Sequence, residues 1–121
     1  MLILDTHILL QSIPKRLTRV EAATLEADED WAISAIVLWE IEMLYQRRRI
    51  PHGLDHPALV ALLDRVHIFP LTYDVCLSLR RLDFRSDPAD EIIAATSLAY
   101  DVPLVTRDAR IRASRLVRFA V

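Results

Sequence analysis

Short apolar segments alternate with helix-forming segments along this 121-residue chain. Apolar runs of this length, bounded by turn residues, are typical of strands buried on both faces. The predicted strands are residues 2–4, 31–34, 66–71, 102–106 and 116–119. Because parallel strands are joined by crossover segments that are usually helices, the alternation predicts an α/β fold with a mostly parallel central sheet.

The segments between the strands contain recognisable helix signals. Thr18 with Glu21 three residues later forms a capping-box pattern, and Asp87 followed by Pro88 is typical of a helix start. The predicted helices are residues 6–12, 18–27, 34–49, 57–65, 73–82 and 87–100, with a helix or turn at 108–113. Repeats, linkers and low-complexity tracts are absent, so residues 1–121 are expected to form a single domain.

Composition excludes several kinds of site. The only glycine is Gly53, so glycine-rich phosphate-binding loops are excluded. The only cysteine, Cys76, can form neither an internal disulfide nor a cysteine-based zinc site, and its apolar surroundings predict a buried position. His52 and His56 could bind zinc, but an exposed loop is the favoured interpretation.

With no basic segment before the apolar N-terminus and no membrane-spanning stretch, we expect a cytoplasmic protein.

The basic residues are almost all of one type. The net charge is −2, which argues against a general nucleic-acid coat, yet every basic residue except Lys15 is an arginine. Arginine suits bidentate phosphate contacts, although a GC-rich genome explains the composition equally well. Arg107, beside Asp108, is predicted to hold phosphate. Residues 47–49 end a predicted helix and either compensate its dipole or contact RNA or a protein partner.

Four acidic residues, far apart in the sequence, are predicted to converge. Asp5 and Asp108 follow predicted strands, and side chains at the carboxyl ends of parallel strands meet at one edge of the sheet. Glu40 has apolar neighbours three and four residues away, which predicts a carboxylate facing the core. Asp90 lies in the first turn of its helix. Simpler explanations stay open for three of them: an ion pair for Glu40, and stabilising charge at a helix start for Asp90 and Asp108.

Convergence of four carboxylates would require a counter-charge. Two carboxylates about 5 Å apart repel by roughly 3 kcal/mol at an effective dielectric constant near 20. Such a cluster persists only with protonation or a bound cation. Oxygen ligands favour Mg²⁺ or Mn²⁺ over zinc, which predicts metal-assisted hydrolysis of phosphodiesters.

Taken in order, these segments resemble the PIN domain, and in particular the VapC-type toxins of bacterial and archaeal toxin–antitoxin pairs. The matching motifs are Asp5-Thr6-His7, residues 34–41, Asp87-Pro88-Ala89-Asp90 and residues 104–108. The resemblance implies an α/β/α sandwich with Mg²⁺- or Mn²⁺-dependent endoribonuclease activity. It also implies a homodimer and inhibition by a cognate antitoxin.

The resemblance also assigns roles to individual residues. Asp5, Glu40, Asp90 and Asp108 would be the catalytic, metal-binding acids. Thr6 and Thr106 would supply hydroxyl groups near the metal or the substrate phosphate. One departure concerns Glu91, because relatives often have arginine at the position after the third acid.

Other functional classes fit the sequence less well. A dehalogenase-type phosphatase needs an aspartate where His7 stands, and a receiver domain needs a late lysine, whereas the only lysine is Lys15. A housekeeping RNA-processing nuclease and a non-catalytic PIN-like module that binds RNA or a partner both stay open.

Overall fold

The computed structural model describes residues 1–121, which form a four-stranded parallel sheet flanked by helices. The strands are β1 (Leu2–Leu4), β2 (Trp31–Ser34), β3 (His67–Phe69) and β4 (Leu104–Val105). Their order across the sheet is β3-β2-β1-β4, and every pairing is parallel. The predicted α/β class and parallel sheet are therefore confirmed.

Seven α-helices connect and follow the strands. They are α1 (Thr6–Ser12), α2 (Arg19–Ala27), α3 (Ile36–Gln46), α4 (Pro57–Leu63), α5 (Tyr73–Ser78), α6 (Pro88–Tyr100) and α7 (Ala109–Arg112), with a 3-10 turn at Leu79–Arg81. The predicted capping box is present, since Thr18 and Glu21 each accept a hydrogen bond from the other's backbone N–H. Asp87 is the N-cap residue of α6, as predicted, although its side chain makes no capping bond.

The hydrophobic core surrounds β1. All three residues of β1 are buried, because β2 and β4 flank the strand and helices cover the sheet. Ile33 of β2, Val37 of α3 and Ile93 of α6 are also inaccessible to solvent. A fully buried central strand explains why residues 2–4 form an uninterrupted apolar run rather than an alternating pattern.

Two local predictions are wrong. Residues 116–119 do not form a strand: a single bridge joins Phe119 to Leu104, with Leu104 N donating to Arg118 O and Ala120 N donating to Leu104 O, and bends at residues 115–117 prevent further pairing. Cys76 is exposed rather than buried. Helix α5 buries Val75 and Ser78 instead, and the residue after Val75 points about 100° away around the helix.

The two loop histidines have a structural role. The ring centroids of His52 and His56 are 4.2 Å apart, and His56 Nδ1 accepts a hydrogen bond from Ala58 N at the start of α4.

None of the helices is both long enough and apolar enough to cross a lipid bilayer.

Candidate active site

The four predicted acids gather at the carboxyl edge of the sheet. Asp5 directly follows β1, and Asp108 follows β4, the strand that pairs with β1 on the side opposite β2. Because β2 and β3 extend the sheet on one side of β1 and β4 extends it on the other, the strand order reverses between β1 and β4, which is where ligands bind in open α/β sheets. Glu40 on α3 and Asp90 in the first turn of α6 face the same region. All three other acids contribute to the raised pKa of Asp90, which establishes their proximity.

Asp5 is the most deeply buried member of the site. Only 3% of its surface is exposed. Its Oδ1 accepts from Thr6 N at 2.7 Å, and its Oδ2 accepts from Thr106 Oγ1 at 2.5 Å. Burial raises the pKa of Asp5 and the nearby Asp108 adds to the rise, while these hydrogen bonds oppose it. The carboxylate is thus held in place and poorly solvated.

Two buried threonines orient the acids. Thr6 donates its hydroxyl hydrogen to Glu40 Oε1. Thr106 donates to Asp5, and its oxygen accepts from Asp108 N at 3.0 Å. The family resemblance predicts that both hydroxyls lie near the metal or phosphate. In the structure each hydroxyl donates its hydrogen to a carboxylate and so orients it, and contact with substrate stays a prediction.

Glu40 is half-buried rather than directed into the core. Helix α3 buries Val37 and Ile41, which place the core-facing stripe to one side of Glu40. The apolar neighbours of Glu40 therefore form the margin of the core. The carboxylate reaches past them to the carboxyl edge of the sheet, and the ion pair with arginine that the sequence left open is absent.

Asp90 has the most perturbed acid group of the site. Burial is the main cause that raises its pKa to about 6, and the charges of Asp5, Asp108 and Glu40 raise it further. Ser86 opposes this shift by donating its hydroxyl hydrogen to Asp90 Oδ2 at 2.8 Å. Sequence reasoning missed Ser86, although its position four residues before Asp90, at a helix start, is a usable signal.

Glu91 has a local structural partner. Its Oε2 accepts a hydrogen bond from Ser86 N at 3.0 Å. The side chain thus ties the loop before α6 to the first turn of that helix. Because Ser86 also binds Asp90, Glu91 helps to fix the loop that orients a site acid.

Asp108 serves as the N-cap of α7. Its Oδ1 accepts from Ile111 N at 3.0 Å, so the simpler helix-capping explanation holds for one of its two oxygens. The other oxygen accepts no hydrogen bond from the protein. The same is true of one oxygen of Glu40 and one of Asp90. Three of the four acids therefore keep one oxygen available to a ligand.

The donor set suits a hard cation. The available atoms are carboxylate oxygens, the ligands that Mg²⁺ and Mn²⁺ prefer. No group of three or more His, Cys, Asp or Glu side chains is already placed to hold an ion. The oxygen donors therefore match a hard cation in chemistry, but as placed they do not form a complete ligand set.

Arg107 lies at the rim of the site, but its guanidinium group binds Glu21, a partner that the sequence did not predict. Its Nε and Nη2 donate to the Glu21 carboxylate at distances from 2.6 to 3.1 Å, and Nη2 also donates to Arg16 O. This contact lowers the pKa of Glu21 to about 2. Arg107 also lines a cavity of about 310 Å³ with Asp5 and Asp108. Phosphate binding by Arg107 stays a prediction. Its observed ion pair with Glu21 links α2 to the β4–α7 turn.

The protein is thus a parallel α/β domain with four acidic residues at the carboxyl edge of its sheet, an arrangement that suits a bound cation. The chain belongs to the PIN domain family, whose family model matches residues 2–115. It is 30% identical over 118 residues to ribonuclease VapC22 of Mycobacterium tuberculosis, and the match covers 93% of this chain and 91% of that relative.

Solved structures share the fold across nearly the whole chain. VapBC2 from Rickettsia felis, bound to a DNA fragment from its promoter, matches with a TM-score of 0.77 and 21% identity over 98% of this chain and 96% of that one. A toxin–antitoxin complex from Klebsiella pneumoniae matches with a TM-score of 0.69 and 23% identity, covering 93% and 91%. At these identities the similarity establishes the fold.

Proposed function

We propose that this chain is a metal-dependent endoribonuclease that hydrolyses RNA phosphodiester bonds as the toxin of a toxin–antitoxin pair. The observation that carries the proposal is the convergence of four acids at the carboxyl edge of the sheet, where burial and the charges of the other three raise the pKa of Asp90 to about 6. Acids held together against their own repulsion are typical of functional sites. Membership of the PIN domain family and the relationship to the ribonuclease VapC22 support the same activity.

The site residues would hold one or more Mg²⁺ or Mn²⁺ ions. The free oxygens of Glu40, Asp90 and Asp108, with the remaining lone pairs of Asp5, form the proposed ligand set. A bound ion would neutralise charge on the scissile phosphate and increase the acidity of the attacking water. Thr6 and Thr106 would keep Glu40 and Asp5 aimed at the site.

Asp90 is the acid best suited to accept the proton of the attacking water. In the metal-free protein, burial and the neighbouring acids raise the pKa of Asp90 to about 6, so this carboxylate takes up a proton more readily than an ordinary aspartate. The bond from Ser86 fixes one oxygen of Asp90 and leaves the other available either to the cation or to the water. Hydrolysis of this kind does not use the RNA 2′-hydroxyl as the nucleophile, so the expected products carry a 5′-phosphate and a 3′-hydroxyl.

The proposed partners are a cognate antitoxin and a second copy of the chain. Solved toxin–antitoxin complexes share the fold, which supports an antitoxin partner. A housekeeping RNA-processing nuclease would use the same site, and only its substrate and partners would distinguish it. A non-catalytic module would have no need for a clustered, half-buried Asp90, so the site favours an enzyme.

Cleavage of purified tRNA and rRNA tests the proposal. The wild-type protein, freed of antitoxin, is incubated with Mg²⁺ or Mn²⁺ and with EDTA, beside Asp5→Asn and the exposed-acid control Asp74→Asn. We expect cleavage by wild type and Asp74→Asn that EDTA and Asp5→Asn both abolish. A folded wild-type protein that cuts no RNA and gains no thermal stability from Mg²⁺ would instead identify a binding module.

A further inference from the structure

A cleft extends from the acid cluster along helix α3. Its volume is about 360 Å³, within the size range of small-ligand sites, and it lies between α3 and the start of α6. Glu40 lines the cleft and also belongs to the acid cluster. Residues 87–89 form the opposite wall. A polymer bound at the acids would therefore reach this cleft without leaving the protein surface.

The α3 wall of the cleft combines an aromatic, an apolar and a basic side chain. Trp39, Met43 and Arg47 are spaced four residues apart, so they lie along one face of the helix. Trp39 is 53% exposed. The other tryptophan, Trp31, is part-buried and donates its indole N–H to Leu25 O and Asp28 O, whereas that of Trp39 makes no hydrogen bond within the protein. The Trp39 ring is thus available to a ligand.

Arginines without acidic partners surround the far end of the cleft. Arg47 and Arg49 line it, and neither takes part in any ion pair of the structure. The backbone turns at Arg48, whose φ of 56° is left-handed, so Arg49 returns to the cleft instead of extending the helix. Arg49 also lines a second cavity, of about 640 Å³, with Tyr45. At about 1.5 Å per helical residue, Arg47 is roughly 10 Å along α3 from Glu40.

We propose that this cleft binds one unpaired nucleotide of the RNA next to the scissile phosphate. Trp39 stacks on the base, while Arg47 and Arg49 contact the backbone phosphate that follows. Stacking on an aromatic ring with arginine contacts to phosphate is how proteins bind single-stranded RNA. Glu40 and Asp87 also line the cleft, but neither forms an ion pair with Arg47 or Arg49, so the free guanidinium groups at the far end favour the phosphates of a polyanion over a peptide. The inference rests on the proposed nuclease function and assigns the contact with the base beside the scissile phosphate to Trp39.

Binding of a short, labelled single-stranded oligoribonucleotide tests the role of Trp39. In the Asp5→Asn background, which leaves RNA intact, Trp39→Ala should weaken binding about 5- to 30-fold, the lower part of the range for one stacked base. Trp39→Phe should restore most of the loss, and Tyr73→Ala, which removes a 79% exposed ring on α5, should change nothing. Indole fluorescence should also be quenched when the oligonucleotide binds. The same quenching measured on the wild type in EDTA keeps the test valid if Asp5→Asn folds poorly.

The arginines have a separate readout. Arg47→Gln and Arg49→Gln should each reduce the slope of log affinity against log salt concentration by about 0.7, the value per phosphate contact for single strands. In the cleavage assay, the Trp39 and arginine variants should raise KM and largely preserve kcat.

Some results would overturn this inference without affecting the nuclease proposal. One is cleavage with unchanged KM in Trp39→Ala and unchanged salt slopes in the arginine variants. Another is loss of antitoxin binding alone, which would make the cleft a protein-docking site. Conversely, absence of cleavage by the wild type would refute the nuclease, while oligonucleotide binding would still report on the cleft.

Discussion

Replacing Asp90 with asparagine should make the metal-free protein more stable at neutral pH, although it removes a site acid. Folding raises the pKa of Asp90 from 3.8 to about 6, so the folded state disfavours the ionised carboxylate. At about 1.4 kcal/mol per pKa unit, this costs at most about 3 kcal/mol of folding stability. Because the side chain is only half-buried, solvent screening reduces our expectation to about 1–2 kcal/mol. Asparagine keeps an oxygen to accept the Ser86 hydrogen bond and has no charge.

The pH dependence follows from the direction of the shift. The loss of folding stability caused by ionised Asp90 is fully present above about pH 6. It disappears as the pH falls toward 3.8, because the carboxyl group is then protonated in both the folded and the unfolded state. We therefore expect Asp90→Asn to raise the melting temperature by roughly 3–8 °C at pH 7.5 in EDTA. Most of that gain should be lost at pH 4.

Thermal denaturation followed by circular dichroism measures this effect, with Asp87→Asn as the matched control. Asp87 lies at the same helix end but is exposed, so its removal should instead reduce stability, by a few tenths of a kcal/mol, through lost interaction with the helix dipole. Adding Mg²⁺ should stabilise the wild type more than Asp90→Asn. If Asp90→Asn is no more stable than the wild type at pH 7.5, or equally stabilised at pH 4, folding does not raise the pKa of Asp90, and the burial and charge repulsion inferred for this carboxylate are wrong.

Three further predictions concern the groups that support the site. Glu21→Gln should lower the free energy of unfolding by about 1–2 kcal/mol at pH 7, because Arg107, whose side chain is 40% exposed, lowers the pKa of Glu21 to about 2. Urea titrations should show this loss of stability vanishing as the pH falls from 4.5 toward 2. A loss that does not depend on pH would contradict the ion pair. Thr106→Val should destabilise the fold by about 1–3 kcal/mol, since Asp5 Oδ2 and Asp108 N lose their partner; an unchanged urea midpoint would argue against that bond. Asp108→Ala should lose about 1 kcal/mol as a missing N-cap and lose cleavage as well, whereas retained cleavage would leave it only a capping role.

The local features of the fold were accessible from the sequence. The apolar runs predict β1 and β2 at the observed bounds, because a strand buried on both faces needs a continuous apolar segment. The capping box at Thr18 and the helix start at Asp87 were equally predictable, because capping involves residues only a few positions apart. Predictions from the sequence were wrong where tertiary packing determines which side of a helix is buried. Cys76, for example, is exposed because α5 turns Val75 toward the core.

Arg107 illustrates what the sequence could not supply. Its neighbour Asp108 predicts a guanidinium near phosphate, yet its partner is Glu21, 86 residues earlier in the chain. Glu21 also belongs to a capping box, a local role that gives no sign of a distant contact. Nothing in either segment alone predicts the pairing, because it depends on α2 packing beside the β4–α7 turn.

The sequence by itself determined the parallel α/β class and the helix starts, which follow from local periodicity and capping residues. It also singled out the four acids, from strand ends for Asp5 and Asp108, from an apolar helix pattern for Glu40 and from a helix start for Asp90. Only the tertiary structure decided which oxygens stay free, that Thr106 binds Asp5 across 101 residues, and that the pKa of Asp90 rises to about 6. The same holds for the cleft beside Trp39. The physical reason is that solvent exclusion and charge–charge distances depend on how separate elements pack, whereas strand and helix formation depends mainly on near neighbours in the chain.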